Sequence, residues 1–222
     1  MSKHLQRDLE NLQRQLLSLS GRVEDLIGKA IRALENRDAA LAGQVIESDP
    51  AIDAQEVRVE EECLKLLALH QPVAIDLRRI ATVLKVNSDL ERMADLAVNI
   101  AERAQALVEE PEIEIPEDLG DMVDLTTSMV RRALDALVQL DLPTARAVCA
   151  DDERVDQLNR RVITHLIELM ESGPDKVQAA LHCFSASRHL ERIADHATNI
   201  AEDVIYLVDG EIARHVKFNS QR

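Results

Sequence analysis

Residues 90–102 read Leu-Glu-Arg-Met-Ala-Asp-Leu-Ala-Val-Asn-Ile-Ala-Glu, and residues 190–202 read Leu-Glu-Arg-Ile-Ala-Asp-His-Ala-Thr-Asn-Ile-Ala-Glu. Ten of the thirteen positions are identical, so the two stretches are copies set 100 residues apart. A second match supports the duplication: Asp49-x-x-Ile52-Asp53 pairs with Asp152-x-x-Val155-Asp156 at an offset of 103. The difference between the two offsets fits a shorter connection before the last helix of the second half. Duplication at this period implies two structurally equivalent units.

Each copy has the periodicity of a helix. Advancing 100° per residue from Leu90, the apolar side chains of Met93, Ala94, Ala97, Ile100 and Ala101 gather on one face. Upstream, Leu9, Leu12, Leu16, Leu19, Val23, Leu26, Ala30 and Ala33 alternate steps of three and four, which predicts a first helix over about residues 3–36. A second opens at Asp38, a natural N-cap, and runs to about Leu69; a third runs from Pro72 to about Val108. Glu109-Glu110-Pro111-Glu112-Ile113-Glu114-Ile115-Pro116-Glu117-Asp118 has two prolines and no helical stripe, and reads as the linker. The plan then repeats over about 117–140, 143–171 and 174–208, with Gly210 closing the last helix. The expected fold is all-α: two tandem, pseudo-symmetric three-helix bundles, at residues 1–109 and 118–222, joined by 110–117.

Composition agrees. Aromatic residues are 1% of the chain, so the core must be built of aliphatic side chains, which suits close helix packing. Six glycines and six prolines in 222 residues leave few turns and therefore long elements. The N-terminus lacks the apolar core of a secretory signal, and no apolar run reaches the ~18 residues of a membrane span. Cys63, Cys149 and Cys183 sit among apolar neighbours and read as reduced, buried thiols of a cytoplasmic protein. The net charge of −15 repels nucleic acid and favours cations or basic partner surfaces.

The acids are patterned. Glu91, Asp95, Asn99 and Glu102 fall in a stripe roughly 100–180° from Leu90, bordering the core face, and Glu191, Asp195, Asn199 and Glu202 repeat it. On the second helix Asp49, Asp53, Glu56 and Glu60 share a narrow sector that Leu67 continues, a costly place for carboxylates unless cations fill it. The fifth helix keeps Asp152 and Asp156 and then turns to Asn159 and Ile163, so the second site carries less charge. Arg92 and Arg192 are placed to relieve part of the repulsion. Oxygen-rich carboxylate pairs on facing helices suit Mg²⁺, Mn²⁺, Ca²⁺ or iron. A di-iron oxidase does not fit, because no histidine has a glutamate three residues before it. His182, His189 and His196 recur every seven residues on a different face and read as packing at the bundle edge. Neither a nucleophile constellation nor a phosphate-cradling glycine loop occurs, so the chain is read as a non-enzyme.

These strings resemble the PhoU family of phosphate-uptake regulators. The resemblance rests on the duplicated Glu-Arg-x-Ala-Asp-x-Ala-x-Asn-Ile-Ala-Glu, on His70-Gln71-Pro72-Val73-Ala74-Ile75-Asp76-Leu77-Arg78, and on Tyr206-Leu207-Val208-Asp209-Gly210-Glu211 with Ala213-Arg214-His215. It covers essentially the whole chain, although the second half has Ser172-Gly173-Pro174-Asp175 in place of the Gln-Pro-Val-Ala string. The resemblance implies two metal groups: Asp49, Asp53, Glu91 and Asp95 with Asn99, and Asp152, Asp156, Glu191 and Asp195 with Asn199, holding divalent or trivalent ions (Mg, Mn, Fe, Zn or Ca). It further implies a negative regulator of phosphate uptake and starvation signalling. Such a protein acts between a phosphate ABC transporter and a sensor histidine kinase, and reaches the membrane only through those partners. Apolar stripe edges point to a homodimer. The alternative is an acidic helical scaffold in which the carboxylates serve solubility alone.

Overall fold

The computed structural model describes residues 3–210. Glu211 and the Ala213-Arg214-His215 string lie outside the described residues. Six helices follow one another: α1 (Lys3–Asn36), α2 (Ala39–His70), α3 (Ala74–Val108), α4 (Glu117–Gln139), α5 (Leu142–Ser172) and α6 (Val177–Asp209). A single 3₁₀ turn, Pro174–Lys176, precedes α6, so Pro174 opens a tight turn and the α-helix proper begins three residues later than the sequence suggests. Likewise α3 begins at Ala74 and not at Pro72, because Val73 is extended and serves as the N-cap. Pro50 sits inside α2 without ending it, leaving the Ile46 carbonyl without its helical donor.

The duplication extends to the turns. Asp38 caps α2 by accepting from the Leu41 amide at 2.9 Å, and Asp141 caps α5 by accepting from the Thr144 amide at 3.3 Å. The residues before them, Arg37 and Leu140, are both left-handed, with φ of 52° and 54°. The Asp38 amide donates to the Ala33 carbonyl and the Asp141 amide to the Ala136 carbonyl, a Schellman-type closure of α1 and of α4. Gly210, at φ 75°, closes α6 as expected.

Helices α1, α2 and α3 pack on one another, as do α4, α5 and α6, giving two three-helix bundles. The apolar face of the repeated motif is buried in both: Leu90, Met93, Ala94, Ala97, Ile100 and Ala101, and their counterparts Leu190, Ile193, Ala194, Ala197, Ile200 and Ala201. One continuous core links the bundles, and the most extensive helix contact is between α3 and α6. These two helices run antiparallel: Lys85 Nζ reaches the buried Asp203 at 2.7 Å, and His196 Nδ1 meets Asp89 Oδ1 at 2.8 Å. Lys85 also lies 5.0 Å from the Tyr206 ring centre, a cation–π distance.

The histidine stripe of α6 therefore lines the seam between bundles. His196 bonds α3 directly, while partial burial, then the Arg103 charge, holds the His182 and His189 imidazoles below the usual histidine range. All three cysteines are free, and burial pushes their thiols up to about 12, about 12 and about 11 for Cys63, Cys149 and Cys183, which keeps them protonated and unreactive.

Removing Lys85 takes a positive charge away from a carboxylate buried in the protein interior. Lys85→Met should destabilise the fold by about 2 kcal/mol, between the values typical of exposed and of buried pairs, and adding Asp203→Leu should recover much of it. Urea denaturation of the parent, both single variants and the double variant measures the coupling.

Candidate functional site

The i, i+4 spacing brings each carboxylate pair onto one strip of its helix, and helix packing sets the strips of α2 and α3 side by side. Asp49 and Glu91 are half-buried, whereas Asp53 and Glu60 are exposed at the rim. Partial burial, then the charges of Asp53 and Asp95, raise the Asp49 carboxyl above the usual carboxylate range. Glu91 is raised by burial and by Asp95, Glu56 and Asp53, against an opposing pull from Arg92. Glu56 is raised by burial, Glu60 and Asp53. Acids from two helices thus feel one another's field, and the electrostatic strain is shared across the α2–α3 groove.

The second half repeats this. Burial raises Asp152, with Glu153 and Glu191 adding to the effect, while a hydrogen bond from the Thr198 hydroxyl at 3.0 Å opposes it. Asp156 is raised by burial, Asp152, Glu191 and Glu153. Partial burial, then Asp152, Glu191 and Asp156, push the Asp195 carboxyl up to about 6, with His196 pulling weakly the other way, although Asp195 retains an exposed edge.

The structure places the remaining residues apart from this core of acids. Asn99 donates to the Asp95 backbone carbonyl at 2.9 Å, on its own helix. Asn199 turns to the seam and donates to Asp89 at 3.2 Å. Glu102 pairs with Arg103 at 3.3 Å, and Glu202 lies close enough to Cys149 to raise its thiol. Arg92 bridges Glu91 at 3.3 Å and Asp95 at 3.6 Å, as its position suggests. In the second half Arg188 pairs with Glu191, while Arg192 lies near His189.

Three participants are not apparent in the motifs. Asn87 is buried and donates to both the Glu56 carboxylate at 2.7 Å and the Glu56 carbonyl at 3.1 Å, fixing that side chain. Its signal was a lone amide on an apolar stripe. Thr198 stands where the first copy has Val98, one of the few positions at which the copies differ. Arg188 lies one turn upstream of the repeated string.

Among the described residues no three histidine, cysteine, aspartate or glutamate side chains converge tightly enough to enclose one ion as they stand. Mutual repulsion and the pull of Arg92 and Arg188 account for the spread. The donor chemistry nevertheless fits a hard cation: every group is a carboxylate, and the buried Asp49 Oδ1 has no hydrogen-bond partner, which is costly without a positive ligand. The Asn159 Oδ1 atom, on the helix that carries the second pair, is also buried and unpartnered.

Comparison with known proteins gives one family. The PhoU domain model matches residues 16–104 and again residues 119–204. A phosphate-specific transport system accessory protein PhoU homolog of Pseudomonas aeruginosa is 39% identical, over 97% of this chain and 90% of that protein. A homolog of the same description from Aquifex aeolicus is also 39% identical, over 94% of this chain and 95% of that one. The crystal structure of PhoU from Pseudomonas aeruginosa superposes with a TM-score of 0.90, covering 93% of this chain and 99% of that chain at 39% identity. The phosphate transport system regulatory protein PhoU of Streptococcus pneumoniae gives 0.87 at 31% identity, covering 94% and 98%.

The raised acids set the sign of a pH effect. A carboxyl whose folded pKa exceeds its unfolded value favours the protonated folded chain, so its contribution falls as pH rises from about 4 through about 6. Asp195→Asn should therefore gain stability relative to the parent between pH 4 and 7 in chelator-treated protein. Urea midpoints at the two ends of that window check it, and an unchanged difference between parent and variant contradicts it.

Proposed function

The chain belongs to the PhoU family, and from that premise we propose that it is an accessory regulator of a phosphate-specific transport system, acting by binding and not by catalysis. The observation that carries this reading is the match to PhoU proteins along nearly the full chain, in sequence and in fold. In this proposal it restrains phosphate uptake and starvation signalling when phosphate is plentiful, between the phosphate ABC transporter and a sensor histidine kinase, in the cytoplasm and as a homodimer. Residues 1–109 and 118–222 are the two repeats, with 110–117 as their linker.

The acidic grooves supply the proposed working surface. Asp49, Asp53, Glu91 and Asp95 would hold divalent or trivalent metal ions in one repeat, and Asp152, Asp156, Glu191 and Asp195 in the other. Such an ion supplies fixed positive charge at a face that is otherwise strongly negative. The chain's own residues do the rest: Asn87 holds Glu56 in place, Thr198 orients Asp152, and Arg92 and Arg188 offset the charge of the glutamates. The less acidic α5 row, with Asn159 at the position of Glu56's counterpart, makes the second site the weaker one in this reading.

Asp95→Ala combined with Asp195→Ala should impair repression. In a host whose own regulator is deleted, a phosphate-starvation reporter should stay low with the parent gene under phosphate-replete growth, and rise with the variant at equal protein level. Full repression by a variant shown to be metal-free would refute the metal-dependent mechanism.

A further inference from the structure

The seam between α3 and α6 is matched in charge at one end and unmatched at the other. The repeat offset of 100 residues makes Arg103 the counterpart of Asp203, Ser185 that of Lys85, and His189 that of Asp89. At the matched end each acid meets donors across the seam: Asp203 takes Lys85 at 2.7 Å, and Asp89 takes His196 at 2.8 Å and Asn199 at 3.2 Å. At the other end an arginine and an imidazole stand where those acids were. Among the described residues Arg103 pairs with Glu102, its neighbour on α3, at 3.3 Å through a terminal guanidinium nitrogen, and receives no carboxylate from α6. His189 bonds Ser185, one turn away on its own helix, at 3.3 Å.

The nitrogens left over are buried. Arg103 Nε and His189 Nδ1 are both shielded from solvent without a hydrogen-bond partner, a costly condition for a polar atom. They belong to different helices, and the antiparallel register set by the Lys85 and His196 contacts brings Arg103 opposite the turn from His182 to Ser185. The Arg103 charge reaches both His182 and His189, adding to burial in holding their imidazoles below the usual range. A Ser185 hydroxyl that donates to His189 Nε2 leaves the proton of the neutral ring on Nδ1, as a second free donor. The charges acting at His189 are Arg103 and Arg192 against Glu102, so this end of the seam lacks the acidic excess of the grooves. Hydrogen bonds from such donors act at contact range, inside the ~8 Å beyond which the chain's other acids are screened.

We propose that this end of the α3–α6 seam binds inorganic phosphate as hydrogen phosphate: Arg103 Nε and His189 Nδ1 donate to its oxygens, and Glu102 accepts from its P–OH group. An oxyanion that still carries a proton suits donors set beside one carboxylate acceptor. Sulfate has no proton to give at neutral pH and meets Glu102 charge against charge. Ser185 is a positioning residue that orients the imidazole. The choice of phosphate rests on the reading of the chain as part of a phosphate transport system, whereas the oxyanion site rests on the unpartnered nitrogens.

Equilibrium dialysis of the full chain against radiolabelled inorganic phosphate tests it, after chelator treatment so that no metal in the grooves can bridge the anion. The parent should bind phosphate, and excess sulfate should not displace it. Arg103→Gln should weaken binding about 30-fold, and Glu102→Gln should let sulfate compete. Unchanged circular dichroism shows that each variant is folded. A parent that binds no phosphate, unchanged binding by folded Arg103→Gln, or displacement by sulfate in the parent overturns the proposal. The assay contains neither transporter nor kinase, so that failure leaves the regulatory reading standing, and a failed reporter experiment leaves phosphate binding measurable.

Discussion

Helices α3 and α6 each pack against three others, and the placement of the acids follows from that constraint. A helix covered on most of its circumference has only a narrow strip left for polar side chains. In α3 that strip is Glu91, Asp95 and Asn99; in α6 it is Glu191, Asp195 and Asn199. Buried alanines at 94, 97, 101 and 104, and at 194, 197 and 201, let the backbones come close without aromatic side chains. The polar strip is then pressed against the equivalent strip of α2 or α5. Asp49, Glu91, Asp152 and Asp156 end up half-buried and facing like charges, a condition that neither solubility nor packing rewards.

Local compensation is partial and differs between the halves. Arg92 bridges both acids of its own pair, whereas Arg188 serves Glu191 and leaves the Asp195 carboxyl pushed up to about 6 by burial and by Asp152, Glu191 and Asp156. Thr198 answers Asp152, and nothing answers Asp49 Oδ1. Duplication supplied two similar grooves, and single substitutions at 98/198 and at 87/187 have since made them inequivalent. The same divergence separates an apolar α2–α3 connection from a polar one between α5 and α6.

Most of the fold was legible in the sequence because it is written twice and with a strong period. Leu9 through Ala33 specify α1, and the buried face of the repeated motif is the face its spacing names. The helix caps at Asp38 and Asp141 were readable for α2 and less so for α5, where Pro143 drew the boundary one residue too late. Residues that act once, across tertiary contacts, were not legible. Lys85 and Asp203 lie 118 positions apart and belong to no repeat, so no spacing rule connects them. Asn99 and Asn199 share a motif position, yet one bonds its own helix and the other crosses the seam to Asp89, whose counterpart in the other half is His189. The histidines read as edge packing do lie at an edge, and that edge is the joint between bundles.

The central claim is that the paired acidic strips exist to hold cations, and metal content tests it most directly. Elemental analysis of protein purified without chelator should find bound metal in the parent and none in the variant lacking Glu91, Asp95, Glu191 and Asp195. Equal metal content in the two, or a parent that stays metal-free after incubation with Mg²⁺, Mn²⁺, Fe²⁺, Zn²⁺ and Ca²⁺ in turn, would contradict it and favour the plain acidic scaffold.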